Sequence, residues 1–183
     1  YLLQAAEKSK KLHNLKEAHD FYKRTIKVHI GLDKNLYSFI SDNLSKLKKS
    51  EMINFLQILN NHADILLSLG EIGECQKILL KIRDILNEGI NSNELCCRVY
   101  GNIGKMYFHM GSYNNATKNF KEQLVLSKTK NKIKYEFHAL FNLARIMIKK
   151  GDIKNASQAL DSLKENFSNN PINLGDIFSE LGN

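Results

Sequence analysis

Apolar side chains recur every three to four residues along most of the chain, which is the spacing of one face of an α-helix. Glycines interrupt this pattern at regular intervals, because Gly70, Gly111 and Gly151 lie 41 and 40 residues apart. Each of them is predicted to form the turn between two short amphipathic helices. The pattern therefore predicts a repeated helix–turn–helix unit.

The residues around each turn glycine fall into matching columns. Small residues lie seven positions before the glycine and five after it, where two helices must approach closely. Large apolar residues lie four before, two after and nine after, where a helix pair needs bulk. The small residues are Ala63, Gly104 and Ala144 seven before the glycine, and Cys75, Ala116 and Ala156 five after it. The large residues are Leu66, Tyr107 and Met147 four before it, Ile72, Tyr113 and Ile153 two after it, and Leu79, Phe120 and Leu160 nine after it. A glycine within a helix costs roughly 1 kcal/mol relative to alanine, and close approach of a second helix would explain Gly104.

These columns divide the chain into helix pairs and one additional element. The predicted segments are a repeat over 1–33, an extra helix over 34–50, repeats over 51–91, 92–131 and 132–170, and the start of a truncated repeat over 171–183. In the first repeat, His13 stands where the turn glycine would be. The extra helix either fills a gap between repeats or serves as a lid or binding element.

The run from Gly104 to Phe120 reads small–x–x–Tyr–x–x–x–Gly–x–Tyr–x–x–Ala–x–x–x–Phe. This motif resembles a tetratricopeptide repeat, a helix–turn–helix unit of about 34 residues. The resemblance implies an all-α fold, a right-handed superhelical array of antiparallel helix pairs. In such an array the first helix of each pair lines a concave groove.

One polar column lies on the predicted first helices, nine residues before the turn glycine. It contains Asn61, Asn102, Asn142 and Asn173. An asparagine amide offers donors and an acceptor, as does each peptide unit of a bound chain. The column could therefore form a ladder that holds an extended peptide. The alternative is that these amides bond neighbouring helices within the array.

Other side chains near the asparagines complete the candidate peptide-binding site. They are Asp64, Lys105, Arg145, Phe141 and His109. Asn102, Lys105 and His109 follow i, i+3, i+7 spacing and so share a helix face. Lys105 and Arg145 favour an acidic partner segment, and Phe141 offers an apolar contact.

The repeat length of about 40 residues and the Asn–x–small tripeptide are similar to a long-repeat subgroup of tetratricopeptide proteins. Pins-type adaptors, kinesin light chains and Tonsoku-type scaffolds belong to it, and peptide-sensing bacterial regulators carry a similar array. The resemblance implies a non-enzymatic scaffold or adaptor whose groove asparagines bind a partner peptide. The alternatives are the sensory domain of a peptide-responsive bacterial regulator and an architectural subunit of a large assembly with an empty groove.

Charge and the remaining motifs narrow the class of partner. The net charge of +8 is concentrated in residues 1–50, which hold 11 Lys and Arg against 5 Asp and Glu. The lysine clusters lack interleaved aromatic residues, so a solvated surface or an acidic protein partner is favoured over nucleic acid. The sequence contains no catalytic triad, phosphate loop or paired-carboxylate motif, and we predict no enzymatic activity and no cofactor.

The cysteines and the hydropathy of the chain indicate in which cellular compartment the protein is expected. Cys75, Cys96 and Cys97 form neither an even disulfide framework nor a zinc-ligand spacing, so we predict reduced thiols and no metal site. Reduced thiols favour an intracellular protein, cytoplasmic or nuclear. No run of about 18 apolar residues predicts a membrane span. Because the sequence begins at Tyr1 and ends within a repeat signature, we expect it to be part of a longer chain or complex.

Overall fold

The computed structural model describes residues 1–31, 35–90, 92–129 and 132–167. Within these ranges the chain is helical and contains no strand, so the all-α prediction is confirmed. The helices are α1 (Leu2–Lys11), α2 (Leu15–Ile30), α3 (Leu36–Asn43), α4 (Lys49–Ser68), α5 (Ile72–Asn87), α6 (Asn93–His109), α7 (Tyr113–Thr129), α8 (Ile133–Lys149) and α9 (Ile153–Asn166), with a short 3-10 turn at Leu44–Lys46.

The chain forms two compact units, Tyr1–Leu95 and Cys96–Asn183. We call them the N-terminal and C-terminal units and describe each by itself. The division into repeats stays a prediction. The segment 171–183, with Asn173, lies outside the described residues.

In the N-terminal unit, α1 packs on α2 and α4 packs on α5, while α2 also packs on α4. The core between these helices contains Tyr22, Phe55, Leu56 and Leu59, each almost fully buried. The short helix α3 lies between the two pairs in sequence, and its Phe39 ring meets the Phe55 ring edge-on at a centroid distance of 5.5 Å. The side chain of Asn35 caps α3 by accepting a hydrogen bond from the Tyr37 backbone N–H.

The tight turns within helix pairs share one backbone geometry. Gly70, Gly111 and Gly151 adopt φ angles of 81°, 70° and 80°, the left-handed region that favours glycine. At each turn the residue's N–H bonds the carbonyl three residues back, and the next N–H bonds the carbonyl five residues back. His13 has φ 58° and the same two bonds, so it occupies the equivalent turn position without being glycine.

In the C-terminal unit, α6 and α7 approach closely at Gly104. A Cβ atom built on Gly104 would lie 2.6–2.8 Å from three ring atoms of Phe120. The ring of Phe120 is fully buried and packs with Ala116 and Ile146. One turn earlier, Gly101 faces the side chain of Gln123 in the same way. These glycines allow α7 to lie directly against α6.

The C-terminal unit continues with α8 packed on α7, and α9 packed on α8. Phe137, Phe141 and Ala144 of α8 form a cluster with Leu160 and Leu163 of α9. The small residues Ala144 and Ala156 are almost fully buried. Predicted small positions therefore lie in the core on both sides of the turn.

We predict that Gly104→Ala lowers the free energy of unfolding by about 1–3 kcal/mol, because the added methyl group overlaps the Phe120 ring. Helix propensity alone would raise it by up to about 1 kcal/mol. Gly73→Ala is the matched control, since Gly73 lies within α5 and its Cβ would meet nothing within 4 Å. Urea denaturation would measure both variants, and a stabilising Gly104→Ala would contradict the close approach.

We further predict that His13→Gly raises the free energy of unfolding by about 0.5–1 kcal/mol, because the left-handed conformation costs a residue with a Cβ atom more than it costs glycine. Gly111→Ala should lower it by a similar amount for the same reason. Thermal denaturation of the two variants would test the pair. Loss of stability in His13→Gly would mean that the imidazole makes a contact that outweighs the backbone strain.

Candidate partner-binding site

Two of the predicted site residues lie on α4 in the N-terminal unit, facing α1. Nδ2 of Asn61 donates a hydrogen bond to Oε1 of Glu7, at 2.8 Å. Nζ of Lys10 lies 2.7 Å from Oδ2 of Asp64. The Asn61 amide therefore bonds a neighbouring helix, which is the alternative that the sequence left open for this column. Its contact with a partner stays a prediction.

Glu7 joins three helices of the N-terminal unit. Besides the amide of Asn61 on α4, it accepts a hydrogen bond from the hydroxyl of Tyr22 on α2. Tyr22 is fully buried, so this hydrogen bond satisfies a polar group inside the core. The polar layer between α1 and α4 thus helps to hold the unit together.

In the C-terminal unit, Arg145 of α8 lies against aromatic rings from two helices. Its guanidinium carbon is 4.8 Å from the ring centroid of Phe108 on α6 and 5.9 Å from that of Phe141 on α8. Its Nη1 atom donates to Oδ1 of Asn142 at 3.3 Å. A guanidinium that rests on an aromatic face keeps its plane fixed, so Arg145 presents its donors in a set orientation.

The two members of the asparagine column that the structure describes in this unit are mostly buried. Asn102 is 8% exposed and Asn142 is 6% exposed, so a partner would reach only a small part of either amide. Nδ2 of Asn142 donates to the carbonyl of His138 one turn earlier, at 2.7 Å. Asn142 therefore links its own helix to Arg145. Lys105 is half-buried and His109 is exposed near the end of α6.

The sequence analysis missed Phe108, whose ring lies beneath the Arg145 guanidinium. Phe108 directly follows the core residue Tyr107, and it is only half-buried. A large aromatic residue next to a core position, but outside the repeat columns, was the available signal. Its pairing with Arg145 depends on the register between α6 and α8, which periodicity alone does not give.

Potential metal ligands are scattered over the described residues. No group of three or more His, Cys, Asp or Glu residues there could hold a metal ion. Burial raises the pKa of the Cys75 thiol to about 12, and the charge of Asp64 acts in the same direction. Cys75 is therefore an unreactive core thiol. None of the described helices is both long and apolar enough to cross a bilayer.

The helix pair α6–α7 is the part of the chain that matches a known family. Residues 98–129 match the model of the tetratricopeptide repeat, a span that holds most of α6 and all of α7. The chain carries a tetratricopeptide-type repeat. No curated protein matches it. Tetratricopeptide repeats generally mediate protein–protein interactions, and their fold is typically a non-enzymatic scaffold.

We predict that Glu7→Ala lowers the free energy of unfolding by about 1–3 kcal/mol, because it removes the two hydrogen bonds that Glu7 accepts from Tyr22 and Asn61. Lys10→Ala is the control on the same helix. It removes a partly exposed ion pair and should cost less than about 1 kcal/mol. Urea denaturation of both variants would measure the difference. Equal losses would show that Glu7 acts only as a surface charge.

Proposed function

We propose that the chain is a protein-interaction scaffold that binds an acidic segment of a partner polypeptide along the first helices of its repeats. In the C-terminal unit the binding face is formed by α6 and α8, and Arg145 is its centre. The partner's carboxylate would accept hydrogen bonds from the guanidinium, and its backbone would lie along the predicted asparagine column. This extends the general role of tetratricopeptide repeats to a specific side chain and a specific partner chemistry.

The fixed orientation of Arg145 supports this proposal. Phe108 and Phe141 lie against the guanidinium, and Asn142 accepts one of its hydrogen bonds. A guanidinium presents its N–H donors in a planar fork that matches a carboxylate, and Arg145 is only half-buried. Because the guanidinium is already held in one orientation before the partner binds, less affinity is lost in ordering this side chain. Lys105 on α6 adds positive charge to the same predicted face.

The asparagine column enters the proposal with different roles for its members. Asn142 would act mainly by positioning Arg145, and Asn102 would offer the exposed edge of its amide to the partner backbone. Asn61 would do the same in the N-terminal unit beside its bond to Glu7. Asn173 lies outside the described residues. His109 would contact the partner at the end of α6.

The test uses short immobilised peptides in three sets of equal length, which are acidic, neutral and basic. We predict that the purified chain prefers the acidic set and that Arg145→Ala weakens this binding about 10–100-fold, the equivalent of roughly 1.5–3 kcal/mol for hydrogen bonds to a charged group. Arg145→Lys should restore part of the affinity, because it keeps the charge and loses the planar fork. Asn142→Ala should weaken binding less than Arg145→Ala does.

Lys154→Ala on α9 is the matched control, because it removes one exposed positive charge from another helix. It should change binding less than about twofold, since exposed charges far from the site are screened. Circular dichroism would show whether each variant keeps its helices. Equal affinity for acidic and neutral peptides would overturn the proposal and favour an architectural role. Equal effects of Arg145→Ala and Lys154→Ala would also overturn it.

A further inference from the structure

A pocket of about 700 Å³ lies wholly within the N-terminal unit, and Arg145 is not among its lining residues. Its walls come from one face of α2, the start of α3, the end of α4 and the start of α5. This volume is typical of pockets that bind small organic molecules. The proposed interaction function does not use it.

Most of the pocket wall is aliphatic. The lining side chains of this kind are Ile26, Ile30, Leu36, Leu66, Leu69 and Ile78. An apolar ligand part that fills this space would gain roughly 25 cal/mol for each Å² removed from water. Such a wall favours a ligand with a hydrocarbon portion.

A pair of histidines forms the polar part of the pocket. Nε2 of His62 lies 3.1 Å from Nδ1 of His19, and the ring centroids are 4.9 Å apart. His62 is only 5% exposed, and its Nδ1 atom has no hydrogen-bond partner among the described residues. Both histidines line the pocket, and the charge of Lys23 acts on both rings.

The charges around the histidines determine which sign of charge the pocket favours in a ligand. Burial lowers the pKa of His19, and the charge of Lys23 lowers it further, while the charges of Asp20 and Glu71 partly oppose this shift. Burial, His19 and Lys23 lower the pKa of His62 to about 3, so both rings are neutral near pH 7. The polar part of the pocket thus combines the Lys23 ammonium group with neutral rings that can donate hydrogen bonds. This combination suits an anion.

The same face of α2 carries Lys16 and Lys27 beside Lys23, all at the pocket wall. Two carboxylates, Glu71 and Glu74, line the opposite side. Glu74 already accepts a hydrogen bond from the hydroxyl of Tyr37, at 3.0 Å. The balance of charge on the wall is therefore positive, and the lysines lie on the helix that also carries His19.

Helix α3 makes this space a pocket rather than an open groove between α2 and α5. Leu36 and Tyr37 line it, and the hydrogen bond from Tyr37 to Glu74 ties α3 to α5. The sequence left open whether this extra helix fills a gap or serves as a binding element. A wall at this place limits the length of a ligand, which favours a small molecule over a polypeptide segment that would run along the groove.

We propose that the pocket binds a small aliphatic carboxylate, with the acid group at Lys23 beside the His19–His62 pair and the hydrocarbon chain against the isoleucine and leucine wall. The site lies in the N-terminal unit, so its failure would leave the proposed peptide binding of the C-terminal unit unaffected.

The test is isothermal titration calorimetry of the whole chain with sodium octanoate, compared with octylamine and octanol. Octanoate should bind at least about 10-fold more tightly than either, because only the carboxylate forms a charge-assisted hydrogen bond with Lys23. Lys23→Met should weaken octanoate binding about 10-fold. Lys11→Met is the matched control, because Lys11 is an exposed lysine on α1 that does not line the pocket. Its effect should be less than about twofold.

Leu36→Trp should abolish octanoate binding, because the larger side chain fills the pocket. Nitrogen NMR of the unmodified chain gives a second reading that does not depend on this variant's folding. Octanoate should change the ring-nitrogen signals of His19 or His62, because its carboxylate would lie beside this pair. Equal binding of octanoate and octylamine, equal effects of Lys23→Met and Lys11→Met, or unchanged nitrogen signals of both histidines would each overturn the proposal.

Discussion

The close contact between Gly104 and the Phe120 ring sets the geometry of the C-terminal unit. Because no Cβ separates the helices there, α7 lies directly on α6, and Phe120 reaches Ile146 of α8. This packing brings the first helices of successive pairs together. Phe108 of α6 then meets Arg145 of α8 at 4.8 Å. The candidate site thus depends on a contact in the core that no partner would touch.

The turns show that a backbone conformation, rather than a residue type, is what repeats. His13 adopts the left-handed φ of Gly70, Gly111 and Gly151 and makes the same two backbone hydrogen bonds. Such a turn satisfies carbonyls at the end of the first helix and reverses the chain within a few residues. A side chain at this position is tolerated because it points into solvent, where it meets no packing constraint. The strain remains in the backbone.

The helices, the turns and the buried small residues could be predicted from sequence because each depends on local spacing. The side-chain partners could not, because they come from helices far apart in the chain. The amide of Asn61 bonds Glu7, 54 residues away, and His62 meets His19, 43 residues away. The sequence placed Asn142 and Arg145 on one helix, but their contact with Phe108 required the register between α6 and α8. The spacing of apolar residues shows which face of a helix is buried. It does not show how a neighbouring helix is aligned along that face.

A polar group buried between packed helices lowers the stability of the fold unless it has a hydrogen-bond partner. Positions whose partners come from neighbouring helices are structural, and positions without such partners are candidates for binding. Glu7 and Asn142 each connect several groups, so their hydrogen bonds belong to the folded unit. Nδ1 of His62 is also buried and has no such partner among the described residues. Buried polar groups of this fold are therefore not all satisfied by neighbouring helices. His62 lines the pocket beside Lys23, so the unsatisfied nitrogen belongs to a side chain in the wall of the proposed ligand site.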